Sequence, residues 1–303
     1  MGVLHRKPPH SDAEAKIIGK KSRGTNNWLL IAPMYLFTLL FVAGPLIYML
    51  VLSFLQKADV WGVEFVFTLK NYLKIGKPVY LGTFWESIKL AFATTALTLL
   101  IGYPFGYFMA KLPQKRKTLF MLLIVIPFWT NALMRMYGWI ILFRSNGLIE
   151  QGLMALGLID DSLKMLYNYK AVLAGMVYAL LPFMILSVYS SAEKMDWSLV
   201  EAAKDLGAKS WQAFVTITLK LTLPGILSGV ILVFIPSMGL FFIADSLGGG
   251  KVILVGNLIQ NQLMSTRDWP FAAALAVILM LFTTLFIWGY KKITHSDELE
   301  GLL

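Results

Sequence analysis

Cysteine is absent from this chain of 303 residues, and charged residues make up only 15% of it. Without a thiol, the protein has no disulfide, no thiolate zinc site and no cysteine nucleophile. The three histidines, His5, His10 and His295, lie near the two ends of the sequence, outside every long apolar segment. No pairing of a nucleophile with a base can be read from the sequence either. We therefore expect no catalytic residue, no metal site and no cofactor.

Apolar residues, by contrast, form 57% of the chain and give it a mean hydropathy of +0.68. Soluble domains contain about 45–50% apolar and about 25% charged residues. The apolar residues stand in long uncharged runs separated by short basic stretches, which predicts an all-α polytopic membrane protein. The net charge of +10 does not indicate binding of nucleic acid, because the basic residues flank the apolar runs, as orientation in a membrane requires.

Six segments are apolar and long enough to cross a bilayer, for which about 20 residues are needed. Each is predicted to be one transmembrane helix, and the prolines within them predict kinks in a packed bundle. The segments are 28–54, 87–110, 118–142, 171–190, 225–244 and 271–290.

The lysines and arginines between these segments are distributed unevenly. They are concentrated before the first segment, in the second and fourth connections and after the last segment. Because cytoplasmic loops carry the excess of basic residues, both ends of the chain are predicted to lie in the cytoplasm. We expect one membrane domain at 28–292, between a basic tail at 1–27 and a second tail at 293–303. The long first segment with its extended basic leader predicts a membrane span and not a cleavable signal peptide.

The fourth connection, 191–224, is too long and too regularly patterned to be a simple turn. Ser198, followed by Glu201 three residues later, is typical of a capping box, which predicts a helix from about Leu199. Gly207 predicts a left-handed stop for that helix, and Ser210 a cap for a second one. On these residues alone, the segment is either a helical hairpin that docks on another protein or an amphipathic loop on the inner leaflet.

Within this connection, the run EAAKDLG (201–207), followed by Ile217, Leu219 and the pair Pro224–Gly225, resembles the coupling loop of ABC importer permeases. In that family the loop inserts into a groove of the ATPase subunit and transmits its nucleotide-driven closure. Lys220 stands where the family usually has proline, whereas Pro224 is expected to end the segment as usual. The resemblance implies that the ATPase contacts Glu201, Ala202, Ala203, Asp205 and Gly207, with the two alanines keeping one surface small.

The resemblance extends from about Pro33 to Lys292. The runs IPFWTNALMRMYGW, YALLPFMILSVYSS, PSMGLFFIADSLGGG and RDWPFAAA resemble the first of the two permease subunits of spermidine/putrescine importers. This implies a multi-pass protein of the bacterial cytoplasmic (inner) membrane that works with a second permease, an ATPase dimer, an extracytoplasmic binding protein and a polyamine. The chain has no G-x-x-x-x-G-K-[ST] loop for a nucleotide, so ATP is expected to be used by the partner ATPase.

Polar residues within the third span are candidates for the solute pathway. Asn131, Arg135 and Gly138 share one helical face, and Trp129 and Tyr137 are close by. They line the pathway or meet the sister permease, or else Arg135 snorkels outward or pairs with an acid such as Glu86. We favour the pairing, because an arginine would repel a cationic substrate.

Phe241, Phe242 and Asp245, at the outer end of the fifth span, are a second candidate. A carboxylate beside aromatic rings suits a polyamine, because the acid pairs with an ammonium and the rings add cation–π contact. The alternative is an interfacial aromatic belt with an ordinary helix-end aspartate. After the glycines at 248–250, a short helix at 251–265 is either re-entrant, with its polar face on the pathway, or superficial. That face carries Asn257, Gln260, Asn261 and Met264.

Two further residues complete the expectations. Asp268 is predicted to cap the last helix near Trp269, and Tyr72 is left as unassigned surface. Besides a polyamine permease, three functions are considered. The first is a permease for another small solute, since the coupling loop does not reveal the cargo. The second is an ion-coupled secondary transporter, which would show inverted repeats. The third is an intramembrane enzyme, for which no active constellation is present.

Overall fold

The structure is a computed structural model that describes residues 27–59, 62–159 and 163–294. The predicted tails lie outside it, apart from Asn27 and residues 293–294. The chain divides into two compact units, one up to Met49 and one from Leu50 onward. The described residues are mostly helical, as expected for the predicted class.

The first part of the chain forms α1 (Asn27–Thr38), a π-helical turn (Leu39–Ala43) and α2 (Gly44–Ser53). An antiparallel hairpin, β1 (Leu55–Lys57) and β2 (Val63–Phe67), and the short helix α3 (Lys70–Ile75) follow. The remaining elements are α4 (Pro78–Lys111), α5 (Gln114–Val125), a 3₁₀ turn (Ile126–Trp129), α6 (Ala132–Phe143), α7 (Leu148–Ala155), α8 (Tyr169–Glu193), α9 (Ser198–Asp205), α10 (Ser210–Ala213), a second π turn (Phe214–Thr218), α11 (Leu219–Leu221), α12 (Leu223–Gly239), α13 (Phe241–Gly248), α14 (Val255–Met264) and α15 (Trp269–Thr294).

The hairpin and α3 were not predicted, and they correct the assignment of Tyr72 to unassigned surface. The Tyr72 hydroxyl lies 2.7 Å from the Ser53 hydroxyl, and its ring packs on Phe54 at 5.2 Å between centroids. The neighbouring Asn71 amide is buried and donates to the carbonyls of Ser53 and Leu55. α3 is therefore fastened to the end of the first span and is not a free surface helix.

Four uninterrupted helices are long and apolar enough to cross a membrane: Ile31–Ser53, Pro78–Lys111, Tyr169–Glu193 and Trp269–Lys292. Two bent pairs also pass the test, Gln114–Trp129 with Ala132–Ala155 and Ser210–Leu221 with Leu223–Gly239. If each pair is counted as one span, the described part of the chain has six, which agrees with the predicted number.

The third span is broken, so the prediction of one continuous helix over 118–142 was wrong. Its two halves meet at 95°. Pro127 lies in the 3₁₀ turn, Thr130 is extended, and the Asn131 side chain accepts a hydrogen bond from the Leu133 amide at 2.8 Å. Proline donates no backbone hydrogen bond and an asparagine cap begins a new helix, so these residues separate α5 from α6.

The fifth span also ends earlier than predicted. α12 stops at Gly239, Leu240 leaves the helical region at ψ 63°, and α13 begins at Phe241. The predicted segment 225–244 is therefore two helices, and Phe241 and Asp245 belong to the second one. α13 stops where Gly249 adopts a left-handed conformation against the ring of Tyr167.

α8 is the central helix of the larger unit, and glycines bring two neighbouring helices close to it. On α4, a Cβ at Gly106 would stand 2.8 Å from the Ile185 carbonyl and 3.1 Å from the Tyr189 amide. On α12, a Cβ at Gly225 would stand 2.5 Å from the Ser187 carbonyl. With Gly102 and Gly229 one turn away, each helix presents a G-x-x-x-G face, which permits close helix contact in membranes.

The substitution Gly106→Ala is expected to destabilise the fold by about 1–2 kcal/mol, because α4 has to move away from α8 backbone that cannot yield. The midpoint of thermal unfolding, followed by tryptophan fluorescence in nanodiscs, measures the effect. Gly289→Ala is the matched control, since this helical glycine has open space around it and alanine is the better helix former. An unchanged midpoint for Gly106→Ala would contradict the close packing.

Candidate functional site

The 191–224 loop forms the predicted helical hairpin, but different residues cap its helices. The Asp196 carboxylate accepts from the Ser198 amide at 3.0 Å, so Ser198 and Glu201 do not form the predicted capping box. Hydrogen bonds from Ser198 hold the pKa of Asp196 below its usual value. Because that pKa is depressed, the contribution of Asp196 to stability is present above its ordinary pKa and is lost as the pH falls through the folded value.

The second helix of the loop begins at Ser210, and Ser210 is not its cap. The backbone amide of Lys209 donates to the side-chain oxygen of Gln212 at 2.8 Å. Gln212 therefore reaches back one turn and satisfies the Lys209 amide, a donor that a serine cap would leave without an acceptor. The prediction of Ser210 as the cap was therefore wrong, although the helix begins at that residue.

The turn between the two helices confirms the predicted left-handed stop at Gly207, whose φ is +90°. The Gly207 amide bonds to the Lys204 carbonyl at 2.9 Å and the Ala208 amide to the Ala203 carbonyl at 3.0 Å. This pair of bonds is a Schellman motif, which glycine favours. No atom lies within 4 Å of a Cβ placed at Gly207, so the turn is an open apex.

The surface of the hairpin carries most of the candidate ATPase contacts. Glu201, Ala202, Asp205 and Gly207 are exposed, and Leu206 beside them is 89% exposed. Of the two alanines, Ala202 is exposed, whereas Ala203 is partly buried against the loop's own core. That core, which comprises Met195, Val200 and Ala213, keeps α9 and α10 together.

Lys220 stands where the family usually has proline, yet the chain still bends directly after it. Lys220 lies in α11, the chain bends by 61° between Leu221 and Leu223, and Pro224 is in the first turn of α12. The Thr222 hydroxyl, buried at the bend, donates to the Thr218 carbonyl at 2.8 Å. The bend thus depends on Thr222 and Pro224 in this chain.

At the predicted outer end, the structure brings Phe241, Asp245 and Asn257 together. The Asn257 amide nitrogen donates to the Asp245 carboxylate at 2.5 Å and to the Phe241 carbonyl at 3.1 Å, and its oxygen accepts from the Leu254 amide at 3.0 Å. Asn257 is buried, whereas Asp245 is exposed. Asn257 therefore orients Asp245, and the carboxylate remains accessible.

Sequence reasoning missed Gly256, which makes this arrangement possible. A Cβ at Gly256 would stand 2.6 Å from the Gly239 carbonyl, at the break between α12 and α13. α14 therefore begins directly against the break. Phe242 lies edge-on to Phe241 at 6.5 Å and packs into the core, and Gln260 is half-buried on α14.

The candidates of the third span do not join this group. Asn131 caps α6, Trp129 is exposed at the end of the 3₁₀ turn, and Tyr137 is exposed on α6 next to buried Met136. Within the described ranges, no hydrogen bond or ion pair links them to Asp245. The Asn131 carbonyl accepts from the Arg135 amide at 3.2 Å, which places Asn131 one turn before Arg135, and the polar stripe with Gly138 stays a prediction.

Arg135 does not pair with Glu86, which corrects the favoured interpretation of that residue. Its guanidinium lies 4.7 Å from the Phe128 ring centroid and 5.9 Å from that of Tyr178. Glu86 instead binds Lys89 at 2.6 Å. Aromatic rings thus accommodate the cation, a role that spacing along the sequence does not reveal.

Asp268 is confirmed as a cap of the last helix. Its side chain accepts from the Phe271 amide at 3.2 Å, and it also forms an ion pair with Lys74 at 3.0 Å. The Lys74 ammonium lies 3.9 Å from the Phe271 ring centroid. Asp268 therefore joins α3 to the start of α15 and has a structural role.

The fold and these sites can be compared with known proteins. Residues 102–295 match the family described as binding-protein-dependent transport system inner membrane component. The spermidine/putrescine transport system permease protein PotB of Escherichia coli K12 is 42% identical over 265 residues, covering 86% of this chain and 96% of the relative. The protein of the same name from Haemophilus influenzae is 39% identical over 276 residues, covering 90% and 96%. Both relatives are transport permeases, not enzymes.

A solved structure supports the same fold. One chain of a bacterial alginate ABC transporter, crystallised with its alginate-bound periplasmic protein, superposes with a TM-score of 0.70 at 14% identity, covering 88% of this chain and 94% of that one. An identity this low establishes the fold alone. The chain therefore belongs to the binding-protein-dependent transport system inner membrane components, and within them to the family of the PotB permease proteins, as a multi-pass protein of the cytoplasmic membrane.

Proposed function

We propose that this chain is the first of two permease subunits of an ATP-driven polyamine importer and forms half of its translocation pathway. The main support for this proposal is the 42% identity, along 86% of the chain, to a permease named for spermidine and putrescine. The membrane domain at 28–292 pairs with a second permease, while an ATPase dimer and an extracytoplasmic binding protein supply energy and cargo.

The 191–224 loop is proposed as the ATPase dock. Its apex exposes Gly207 and the apolar Leu206, beside the small Ala202. Large exposed apolar residues on a water-facing loop are typical of an interaction site. Exposed charges of both signs surround the apex, namely Glu201, Lys204, Asp205 and Lys209, and charges of the opposite sign on the ATPase would complement them.

The group formed by Phe241, Asp245 and Asn257, called the outer group below, is proposed as a contact for the polycation. Asp245 offers an accessible carboxylate oriented by Asn257, and Phe241 lies one turn before it. A carboxylate binds an ammonium by a charge-assisted hydrogen bond, and the ring attracts the same charge. The other candidates are proposed to belong to the pathway at positions more distant from the substrate ammonium. They are Gln260, Trp129, Asn131, Arg135, Tyr137 and Phe242.

ATP hydrolysis by the assembled complex tests the proposed substrate. The chain is co-purified with both partner subunits in nanodiscs. The binding protein is then added together with one solute at a time: spermidine, putrescine, a neutral sugar or a neutral amino acid. Polyamines are expected to raise hydrolysis severalfold and the neutral solutes to leave it at the basal rate. Stimulation by a neutral solute alone would assign the importer to another cargo.

A further inference from the structure

Trp197, which directly precedes α9, packs against two hydrophobic cores at once. One is the core of the 191–224 loop, and the other lies between the membrane helices α4 and α8. Since packed cores move as units and do not deform continuously, a side chain shared by both links their movements. The membrane-side core comprises Met109, Ala110, Ile185, Tyr189 and Ala192.

Tyr107 and Lys111 of α4 complete the contact with Trp197. The rings of Tyr107 and Trp197 lie 5.6 Å apart between centroids. The Lys111 ammonium stands 4.3 Å from the Tyr107 ring and 5.1 Å from the Trp197 ring. Two rings under one cation have a defined relative position, because each is held by the same charge.

The second arm of the loop reaches the same part of α4. Phe214, in the π turn, lies edge-on to Tyr107 and to Tyr103, each at 5.9 Å between centroids. The Tyr103 hydroxyl is 3.0 Å from the Thr222 hydroxyl at the bend into α12. Both arms of the loop are therefore attached to the same part of α4, the last two turns from Tyr103 to Lys111.

The other end of α4 is attached to the outer group. The helix runs from Pro78 to Lys111 without ending at the internal Pro104, and at 1.5 Å per residue Ser87 lies about 30 Å along it from Tyr107. The Ser87 hydroxyl accepts from the Val255 amide, at the start of α14, at 2.9 Å. Leu90, one turn further, packs in the same core as Ile243 and Leu247 of α13.

We propose that α4 transmits the ATP-driven movement of the 191–224 loop to α13 and α14, and that Trp197 and Tyr107 are the positioning residues that fasten the loop to α4. The proposal rests on the proposed docking of the ATPase on this loop. The loop also continues into α12, but that connection contains a π turn and a 61° bend, which would absorb movement. The aromatic contact offers a stiffer route.

Trp197→Leu in the assembled complex tests the proposal. The ATPase subunit is expected to co-purify and to retain basal hydrolysis, whereas uptake and the stimulation by loaded binding protein fall about fivefold. Trp197→Phe, which keeps a ring, restores most of the stimulation. Trp288→Leu is the matched control: Trp288 is exposed beside Lys292 at the inner end of α15, and its loss should leave stimulation unchanged.

A covalent link separates transmission from simple stability. Because the chain has no cysteine, the pair Tyr107→Cys and Trp197→Cys can be joined by a short bifunctional thiol reagent, with partner subunits freed of reactive cysteines. The unlinked pair is expected to be uncoupled, and linking should restore stimulation. The same reagent on Trp197→Cys alone should restore nothing, since it joins no second site.

Three outcomes would overturn the proposal. They are normal stimulation in Trp197→Leu, loss of the ATPase subunit from that variant, which would assign Trp197 to docking, and a linked cysteine pair that stays uncoupled. Failure of the docking proposal itself would be seen separately, as a Gly207→Asp variant that retains both its ATPase and full transport.

Discussion

Transport by a Gly207→Asp variant is expected to fall to the background of cells that lack the permease, while the protein still inserts and the permease pair still assembles. Gly207 has a φ of +90° and no atom near its Cβ position. The new side chain therefore fits, at a backbone cost of about 1 kcal/mol, and aspartate tolerates the left-handed region better than most residues. What changes is the docking apex, which gains bulk and a negative charge.

The measurements are polyamine uptake in cells and co-purification of the ATPase, which should be lost or fail to respond to substrate. Gly157→Asp is the matched control, because Gly157 is a left-handed glycine with equally open space in a different loop. It places the same side chain at a positive φ without touching the apex, so it should transport normally. Full transport by Gly207→Asp would remove the basis for assigning the loop to coupling.

The apex of this loop is also where sequence reasoning succeeded, because its signal is local. Gly207 after a short amphipathic segment predicts a left-handed stop on chain geometry alone. The caps were less predictable: Ser198 and Ser210 are typical N-caps, but the side chains that accept from the backbone amides at these two helix starts are those of Asp196 and Gln212. Neighbouring polar residues compete for the same amides, and packing of the loop core decides between them.

The number of spans was predictable from hydropathy, whereas their interruptions were not. Across Pro127 and Leu240 the chain stays apolar, so a hydropathy profile passes over both breaks. The break at Leu240 depends on Gly256, which is distant in sequence and packs on the Gly239 carbonyl. Arg135 illustrates the same limit, because its partners Phe128 and Tyr178 are brought together only by the bend of the third span and by α8.

Asp245→Asn is expected to lower uptake of a polyamine at low concentration by roughly tenfold or more. Asparagine keeps the shape and its side-chain oxygen still accepts from Asn257, so the arrangement of α13 and α14 is retained and the charge alone is removed. A charge-assisted hydrogen bond contributes about 1.5–3 kcal/mol, and each 1.4 kcal/mol is about a factor of ten in affinity. Radiolabelled uptake in cells lacking other polyamine importers measures the loss.

The companion variants rank the contributions to this site. Phe241→Leu should weaken uptake less, since it retains apolar contact and loses only the cation attraction of the ring, about 0.5–2 kcal/mol. Asp245→Glu should fall between Asn and the native residue, because the charge is kept on a longer stem. Glu64→Gln is the matched control for outer-side charge, because Glu64 is exposed on β2, and uptake by this variant should be unchanged.

The step at which Asp245→Asn impairs transport is as informative as the size of the loss. A lost ammonium contact raises the concentration for half-maximal uptake and leaves subunit assembly and basal ATP hydrolysis intact, because Asp245 lies outside the cores that hold α13 in place. An equal deficit for a neutral solute would indicate damage to the pathway itself. If Asp245→Asn assembles normally and imports polyamine at the native rate, Asp245 is a helix-end residue bound only to Asn257, and the cation passes elsewhere.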